Sequence, residues 1–175
     1  MLRKICIVLV LFSVLLVANC GPQAYPYKNS AKTGDFFYVS IDPKSGGFLI
    51  DGSTITLPLT DVTFVNTPVK DVAHSSDIFM TDFDLEFTAP KDCPVAQCPH
   101  LAKIEGISIF QEVLAGGEST VTGVPMAFPS TLDQFLNNTV ATEMVIYKVK
   151  ATYHGENEFG YPVTTSSQFA LMLVP

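Results

Sequence analysis

The N-terminal segment constrains this chain most, because it determines the compartment in which everything after it must fold. Arg3 and Lys4 give it a positively charged start, and residues 5–18 are apolar with a single serine. This apolar run is shorter than the roughly 20 residues that a helix needs to cross a bilayer. A charged start, a short apolar run and small residues after it are typical of a secretory signal. The sequence therefore predicts a signal helix over residues 1–19, with a buried helix or a lone membrane anchor as the alternative.

The end of the signal has the sequence LVANC at residues 16–20, which resembles the lipobox of bacterial lipoproteins. In that family the cysteine is diacylated and the signal is cut just before it. Val17, Ala18 and Cys20 match the pattern, whereas Asn19 stands where Gly, Ala or Ser is usual. The resemblance implies that Cys20 is lipidated and becomes the first residue of the mature chain.

Lipidation of Cys20 implies an anchor in the bacterial cell envelope. A thioether-linked diacylglycerol with an amide-linked acyl chain holds a protein stably, because two or more chains are needed for that. Gly21 follows the cysteine. In enterobacterial lipoproteins, Asp at this position is the usual signal for retention, so the resemblance implies that a chain with Gly there is sorted to the outer membrane. Residues 20–35 then form a lipidated flexible tether, rich in small polar residues and without hydrophobic period. Ordinary secretion, with Cys20 free or cleaved away, is the alternative.

The charge of the chain excludes some classes of partner. The whole chain has 10 basic and 17 acidic side chains and a net charge of −7. Removal of the signal deletes Arg3 and Lys4 and no acid, so the net charge becomes −9. A chain this acidic does not bind nucleic acid or anionic lipid through a basic patch. The mature length of roughly 156 residues suggests one domain, which we assign to residues 36–175.

The composition of that domain favours an all-β fold. Thr, Val and Phe are frequent, Pro and Gly punctuate the chain, and charged residues are few. The first strand is predicted over residues 36–41, and the last two form a long hairpin over residues 143–153 and 163–174. A broken alternation of apolar residues over residues 103–111 predicts a β-bulge at Gly106.

One stretch has a helical pattern, residues 130–138, where Ser130 and Asp133 have the spacing of a capping box. We expect a short crossover helix there. About eight strands, this helix and the long final hairpin resemble an immunoglobulin-like antiparallel β-sandwich. The chain departs from that family because it has no Trp and its cysteines are not placed to bridge two sheets. A jelly roll or a small barrel is the alternative.

Residues 78–88 alternate most clearly between two faces. One face carries apolar side chains, together with Thr81: Phe79, Phe83, Leu85 and Phe87. The other carries carboxylates, together with Met80: Asp82, Asp84 and Glu86. Three carboxylates on one strand face suggest a calcium site, but a solvated face whose like charges discourage edge pairing is the favoured interpretation.

Two cysteines lie close together in the segment CPVAQCPH at residues 93–100. In an exported chain, Cys93 and Cys98 most simply form a disulfide, and the prolines favour the folded-back loop that this needs. A metal or haem site with His100 is the alternative. It lacks both the C-x-x-C-H signature and a second pair of zinc ligands, so the sequence predicts a structural bridge and no metal.

The loop predicted over residues 154–162 carries His154, Glu156 and Glu158. A carboxylate beside a histidine can do acid–base work or bind a cation, and exposed loops are where binding usually occurs. We therefore note these three residues as candidate binding residues, against the plainer interpretation of a solvated loop.

The favoured function is that of a cell-envelope lipoprotein that presents a β-sandwich for binding, assembly or structural support, without catalysis or cofactor. Its partners would be the membrane, through the lipid on Cys20, and a protein of the envelope. The chain has no nucleophile elbow, phosphate loop or H-E-x-x-H motif. A secreted adhesin or filament subunit is one alternative, since long strands can pair between chains. A metal-dependent envelope hydrolase that uses His154 with Glu156 or Glu158 is the other.

Overall fold

A computed structural model describes residues 35–51, 54–68 and 75–175 of the chain. The predicted signal helix, the lipidation site at Cys20 and the tether up to residue 34 lie outside these described residues. Within them, the model contains no helix with the length and apolar character needed to cross a bilayer.

The described chain is mostly β-strand, with one helix, as its composition predicts. In chain order the elements are β1 (Asp35–Asp42), β2 (Ser45–Gly47), β3 (Leu49–Asp51), β4 (Thr54–Thr56), β5 (Leu59–Pro68), β6 (Ile78–Thr88), β7 (Ile104–Val113), β8 (Glu118–Pro125), α1 (Pro129–Asn138), β9 (Val145–Asn157) and β10 (Pro162–Leu173).

The strands form two sheets and a small ribbon. The three-stranded sheet has the order β1-β5-β8, the five-stranded sheet has the order β2-β10-β9-β6-β7, and β3 and β4 form the ribbon. Neighbouring strands pair antiparallel, except that the short β2 runs parallel to β10. Pro58 separates β4 from β5, because proline has no N–H to donate to a ladder.

The two sheets pack face to face through a cluster of aromatic rings. Phe64 of the three-stranded sheet meets Tyr153 of the five-stranded sheet edge to face, with ring centroids 5.2 Å apart. Phe37 stacks on Phe64 from the same sheet, and Phe83 stacks on Tyr153. All four side chains are buried. Large aromatic surfaces removed from water in this way contribute most of the energy of such a core.

Strand β6 departs from the simple alternation that the sequence predicts. Met80 is buried and Phe79 is partly exposed, the reverse of the expected arrangement. The cause is a β-bulge between Met80 and Asp82, which shifts the register toward both neighbouring strands. One extra residue on a strand turns the following side chains to the opposite face. After the bulge the prediction holds, with Phe83 buried and Asp84 on the outer face.

The predicted bulge at Gly106 is confirmed. The register between β6 and β7 shifts there, and Gly106 has a φ of 67°. This left-handed conformation is easy for glycine and costly for residues with a side chain.

The helix is confirmed at residues 129–138, but its start differs from the prediction. Phe128 and not Ser130 is the capping residue, and Pro129 is the first helical position. Proline suits that position because its φ is already helical and no N–H is needed there. The Phe128 backbone N–H donates to the Thr131 hydroxyl at 3.4 Å. Leu132 and Phe135 bury the helix against the core.

The final hairpin has a longer first strand and a shorter loop than the sequence predicts. Strand β9 continues to Asn157, so His154 and Glu156 are strand residues, and of the three candidates only Glu158 lies in the loop. The Asn157 side chain explains the tight turn, because its Oδ1 accepts from the N–H groups of Phe159 and Tyr161. Side chains of this kind commonly close turns by mimicking backbone acceptors.

One end of the two-sheet domain contains the start of β1. Asn66, near the end of β5, donates from its backbone N–H to Gly117 and from its side chain to Ser76. The Glu158 N–H donates to the Asp77 carbonyl at 3.0 Å. Strand β1 begins opposite the end of β5. We call this region the entry end: the start of β1, residues 114–117 and residues 158–161.

The opposite end carries the remaining irregular segments. The Val140 N–H donates to the Ala96 carbonyl at 2.8 Å, and Met126 N–H donates to the Pro58 carbonyl at 2.9 Å. The β3–β4 ribbon leaves from this end, because it connects β2 to the start of β5. We call this region the far end: the β3–β4 ribbon, residues 89–103 and α1. The 13 residues of β9 separate the two ends by about 40 Å.

Candidate functional site

The predicted disulfide between Cys93 and Cys98 is present, with Cα atoms 5.9 Å apart. The loop turns back as predicted, since the N–H groups of Gln97 and Cys98 both donate to the Pro94 carbonyl at 2.9 Å. Both sulfurs are used in the bond, so neither is available in this structure as a ligand for a metal site with His100. Closing so short a loop contributes about 2 kcal/mol in the chain-entropy model.

The disulfide loop is fixed to the rest of the domain by hydrogen bonds. The Thr139 hydroxyl donates to the Gln97 carbonyl at 2.7 Å. The buried Tyr147 hydroxyl donates to the Pro99 carbonyl, also at 2.7 Å. Burial raises the pKa of Tyr147 to about 12, so the phenol stays a donor at any physiological pH. The loop is therefore a rigid part of the far end.

A second group of polar side chains lies on the outer face of the five-stranded sheet: Asp82, Asp84 and His154. One oxygen or nitrogen atom of each lies within 4.8 Å of the others, and all three residues are half-buried. His154 lies opposite Asp82 in the β6–β9 register. Its Nε2 is 3.4 Å from Oδ2 of Asp84. We call these three residues the Asp–Asp–His cluster.

The carboxylate of Asp84 is held from the side of β7. Its Oδ2 accepts from Lys103 Nζ at 2.9 Å, and its Oδ1 accepts from the Gly106 N–H at 3.0 Å. Desolvation opposes ionisation of Asp84, but these hydrogen bonds and the nearby positive charges outweigh it, so the pKa of Asp84 is lowered. Lys103 also bonds Glu105 at 2.7 Å, and bonds to Glu105 and Asp84 raise the pKa of Lys103. Asp84 is therefore ionised at neutral pH.

Two bulges adjoin this arrangement. At the bulge at Thr81 in β6 the register toward β9 shifts, after which Asp82 lies opposite His154, and the Thr81 hydroxyl donates to Asp82 Oδ2 at 2.8 Å. The bulge at Gly106 in β7 turns a backbone N–H toward Asp84. Bulges commonly redirect side chains next to functional sites.

The candidates from the sequence are only partly brought together. His154 contacts Asp84, and it forms no ion pair with Glu156 or Glu158 among the described residues. Glu86 lies opposite Lys150, away from the cluster. The group that the described residues bring together is a mixed one, with two carboxylates of β6 and the imidazole of His154. Each member can be identified from the sequence but their pairing cannot, because only the β6–β9 register joins them.

Comparisons of this chain with protein-family models, with curated proteins and with solved structures found no match. Its function must therefore be inferred from its own residues and fold, and fold alone does not specify an activity.

Proposed function

We propose that this chain is a lipid-anchored, immunoglobulin-like module of a bacterial cell envelope that presents a β-sandwich for binding. The anchor is the lipid on Cys20, and the outer membrane is the proposed location because Gly21 follows that cysteine. The partner is a protein of the envelope. No catalytic role is assigned, because the sequence offers no nucleophile elbow or metalloprotease motif.

The strand order supports the immunoglobulin-like assignment. In that family strands A, B and E share one sheet, while C, F and G share the other, to which variable-type domains add C′. The orders β1-β5-β8 and β10-β9-β6-β7 correspond to A-B-E and G-F-C-C′. The equivalents of strands E and F are β8 and β9, and the crossover that connects them contains α1. The departures are the missing D strand, the parallel β2 and a disulfide that lies within one loop.

The observation that carries the proposal is that β1 begins at one end of the domain, whereas the exposed apolar side chains of the ribbon lie at the other end. Leu49 and Ile50 of the β3–β4 ribbon are 70% and 59% exposed, and Val95 of the disulfide loop is also highly exposed. The entry end also exposes apolar side chains, among them Leu114 at 59%, but those of the far end lie away from the start of β1 and suit a protein partner that buries them. The Cys93–Cys98 loop and the β9–β10 loop lie at opposite ends, and we assign binding to the far end.

The length of the tether is consistent with this polarity. If residues 20–35 are flexible, as their composition predicts, their r.m.s. length is about 20 Å. That is shorter than the distance of about 40 Å between the ends of the domain. The entry end would therefore stay nearer the membrane on average, with the far end turned toward the partner.

The anchor is tested by the intact mass of the protein extracted with detergent from its own membranes. We expect a mass that begins at Cys20 and includes acyl chains, with a gain on reduction from the hydrogens added to Cys93 and Cys98. A Cys20→Ser variant should lose the acyl mass and keep the uncut signal, because the cut depends on the lipidated cysteine. An unacylated native protein would contradict the anchor and favour the secreted adhesin or filament subunit.

The polarity is tested by energy transfer from a dye to acceptors in the lipid headgroups. In the acylated, disulfide-bonded chain, a cysteine introduced at Leu49 or at Phe159 would be the only free thiol of the mature protein, which has three native cysteines. Both positions are exposed. In reconstituted vesicles we expect clearly higher transfer from Phe159→Cys than from Leu49→Cys. Equal transfer, or the reverse order, would overturn the assignment of the far end.

A further inference from the structure

We propose that the Asp–Asp–His cluster binds a divalent transition-metal ion, and that zinc fits its donors best. The inference concerns the outer face of the five-stranded sheet and does not depend on the anchor or on the far end. The cluster combines two carboxylates of one strand with an imidazole of the neighbouring strand.

The chemistry of the donors selects the class of ion. Imidazole nitrogen suits Zn²⁺, Cu²⁺, Ni²⁺ and Fe²⁺, whereas Ca²⁺ and Mg²⁺ prefer sets made of oxygen. Zinc is commonly held by three protein ligands from histidine and carboxylate, with water in the fourth position. Asp82, Asp84 and His154 supply such a set, so the cluster is distinct from the calcium site suggested by three carboxylates on one strand.

The distances match this coordination. Two ligands that each lie about 2.1 Å from a tetrahedral ion are about 3.4 Å apart. His154 Nε2 and Asp84 Oδ2 are separated by 3.4 Å, which is longer than an ordinary hydrogen bond between them. The remaining separations are all within 4.8 Å, and a rotation of the Asp82 carboxylate would be needed to bring its oxygen to the coordination distance.

The charge around the cluster also favours a cation. Among the described residues, Asp82 has no ion-pair partner, and Lys103 is the basic side chain shared by Asp84 and Glu105. The carboxylates therefore outnumber the positive charges. The Asp82 carboxylate is half-buried beside Asp84, and like charges placed so close repel each other unless a cation lies between them.

Lys103 is the competitor for this position. Its ammonium pairs with Oδ2 of Asp84, which is also the oxygen nearest to His154 Nε2. The side chain is 46% exposed and has Glu105 as a second partner, so it can leave Asp84 without becoming unpaired. Metal binding would then transfer Lys103 from Asp84 to Glu105.

The test uses the tag-free mature protein in detergent, stripped with a chelator and then titrated with Zn²⁺ by calorimetry. Co²⁺ is added in parallel as a spectroscopic probe of coordination. We expect one Zn²⁺ per chain. His154→Ala and Asp82→Asn should each weaken binding by about 100-fold or more, beyond the loss typical of supporting residues. Lys103→Met should strengthen binding about tenfold, because it removes a positive charge close to the ion.

Glu86→Gln is the matched control. It removes a carboxylate from the same face of β6, but from a position outside the cluster, so the zinc affinity should not change. Metal-free melting temperatures of all variants show whether each one is folded. Absence of zinc binding, or equal binding by the native protein and His154→Ala, would overturn the proposal. So would Co²⁺ spectra that do not respond to the His154 substitution.

Discussion

Replacing Phe64 with alanine is expected to lower the free energy of unfolding by about 3–5 kcal/mol, the range for large aromatic side chains deleted from a core. Phe64 is fully buried, and its ring contacts Phe37 within its own sheet and Tyr153 across the interface between the sheets. Alanine would remove the transfer energy of the ring and leave a cavity between two rigid sheets that cannot collapse fully. Urea denaturation measures the effect as a change in the midpoint, provided that the slope of the unfolding free energy against urea concentration stays constant.

Phe110→Ala is the matched control for this prediction. Phe110 lies on β7, and its side chain is 82% exposed. The same deletion there removes little buried surface, so the expected change in the free energy of unfolding is within about 0.5 kcal/mol. A similar loss of the free energy of unfolding in the two variants would show that the aromatic cluster does not hold the two sheets together.

The sequence predicts the parts of this fold that depend on a period of two. In β9, Tyr147, Val149 and Tyr153 are buried where alternation places them, because each strand of a half-buried sheet must turn every second side chain inward. The disulfide could also be predicted, since a short loop with two prolines leaves Cys93 and Cys98 few other partners. Both inferences depend on neighbouring residues alone.

The candidate site could be predicted only in its parts. Asp82, Asp84 and His154 can each be identified from the sequence, but the register between β6 and β9, which shifts at the bulge at Thr81, decides that Asp82 lies opposite His154. A bulge adds one residue to one strand, and no local pattern in β6 marks it, whereas the glycine at Gly106 does mark the bulge in β7. The strand register is a tertiary property, so the sequence paired His154 with its near neighbours in the chain instead.

Gly155→Ala is expected to destabilise the protein by about 3 kcal/mol, at the upper end of the cost of overpacking. A Cβ at Gly155 would lie in hard contact with the Phe79 carbonyl oxygen and 2.9 Å from the Met80 Cα. Both are backbone atoms of the neighbouring strand, so they cannot rotate away as a flexible side chain can. The strands β6 and β9 would have to separate at the bulge, which is where the Asp–Asp–His cluster is assembled.

Gly106→Ala separates lack of space from backbone strain. A Cβ at Gly106 meets no atom within 4 Å, but the φ of 67° is unfavourable for alanine. Gly106→Ala is therefore expected to lower the free energy of unfolding by about 1 kcal/mol. Urea denaturation of both variants should therefore rank Gly155→Ala as the more damaging. Equal losses would mean that the close approach of β6 and β9 does not require glycine.

Because Gly155 adjoins His154 in β9, its substitution should also weaken zinc binding in whatever fraction of the variant remains folded. A stable Gly155→Ala protein with undiminished zinc affinity would contradict the dependence of the cluster on this close contact between the strands.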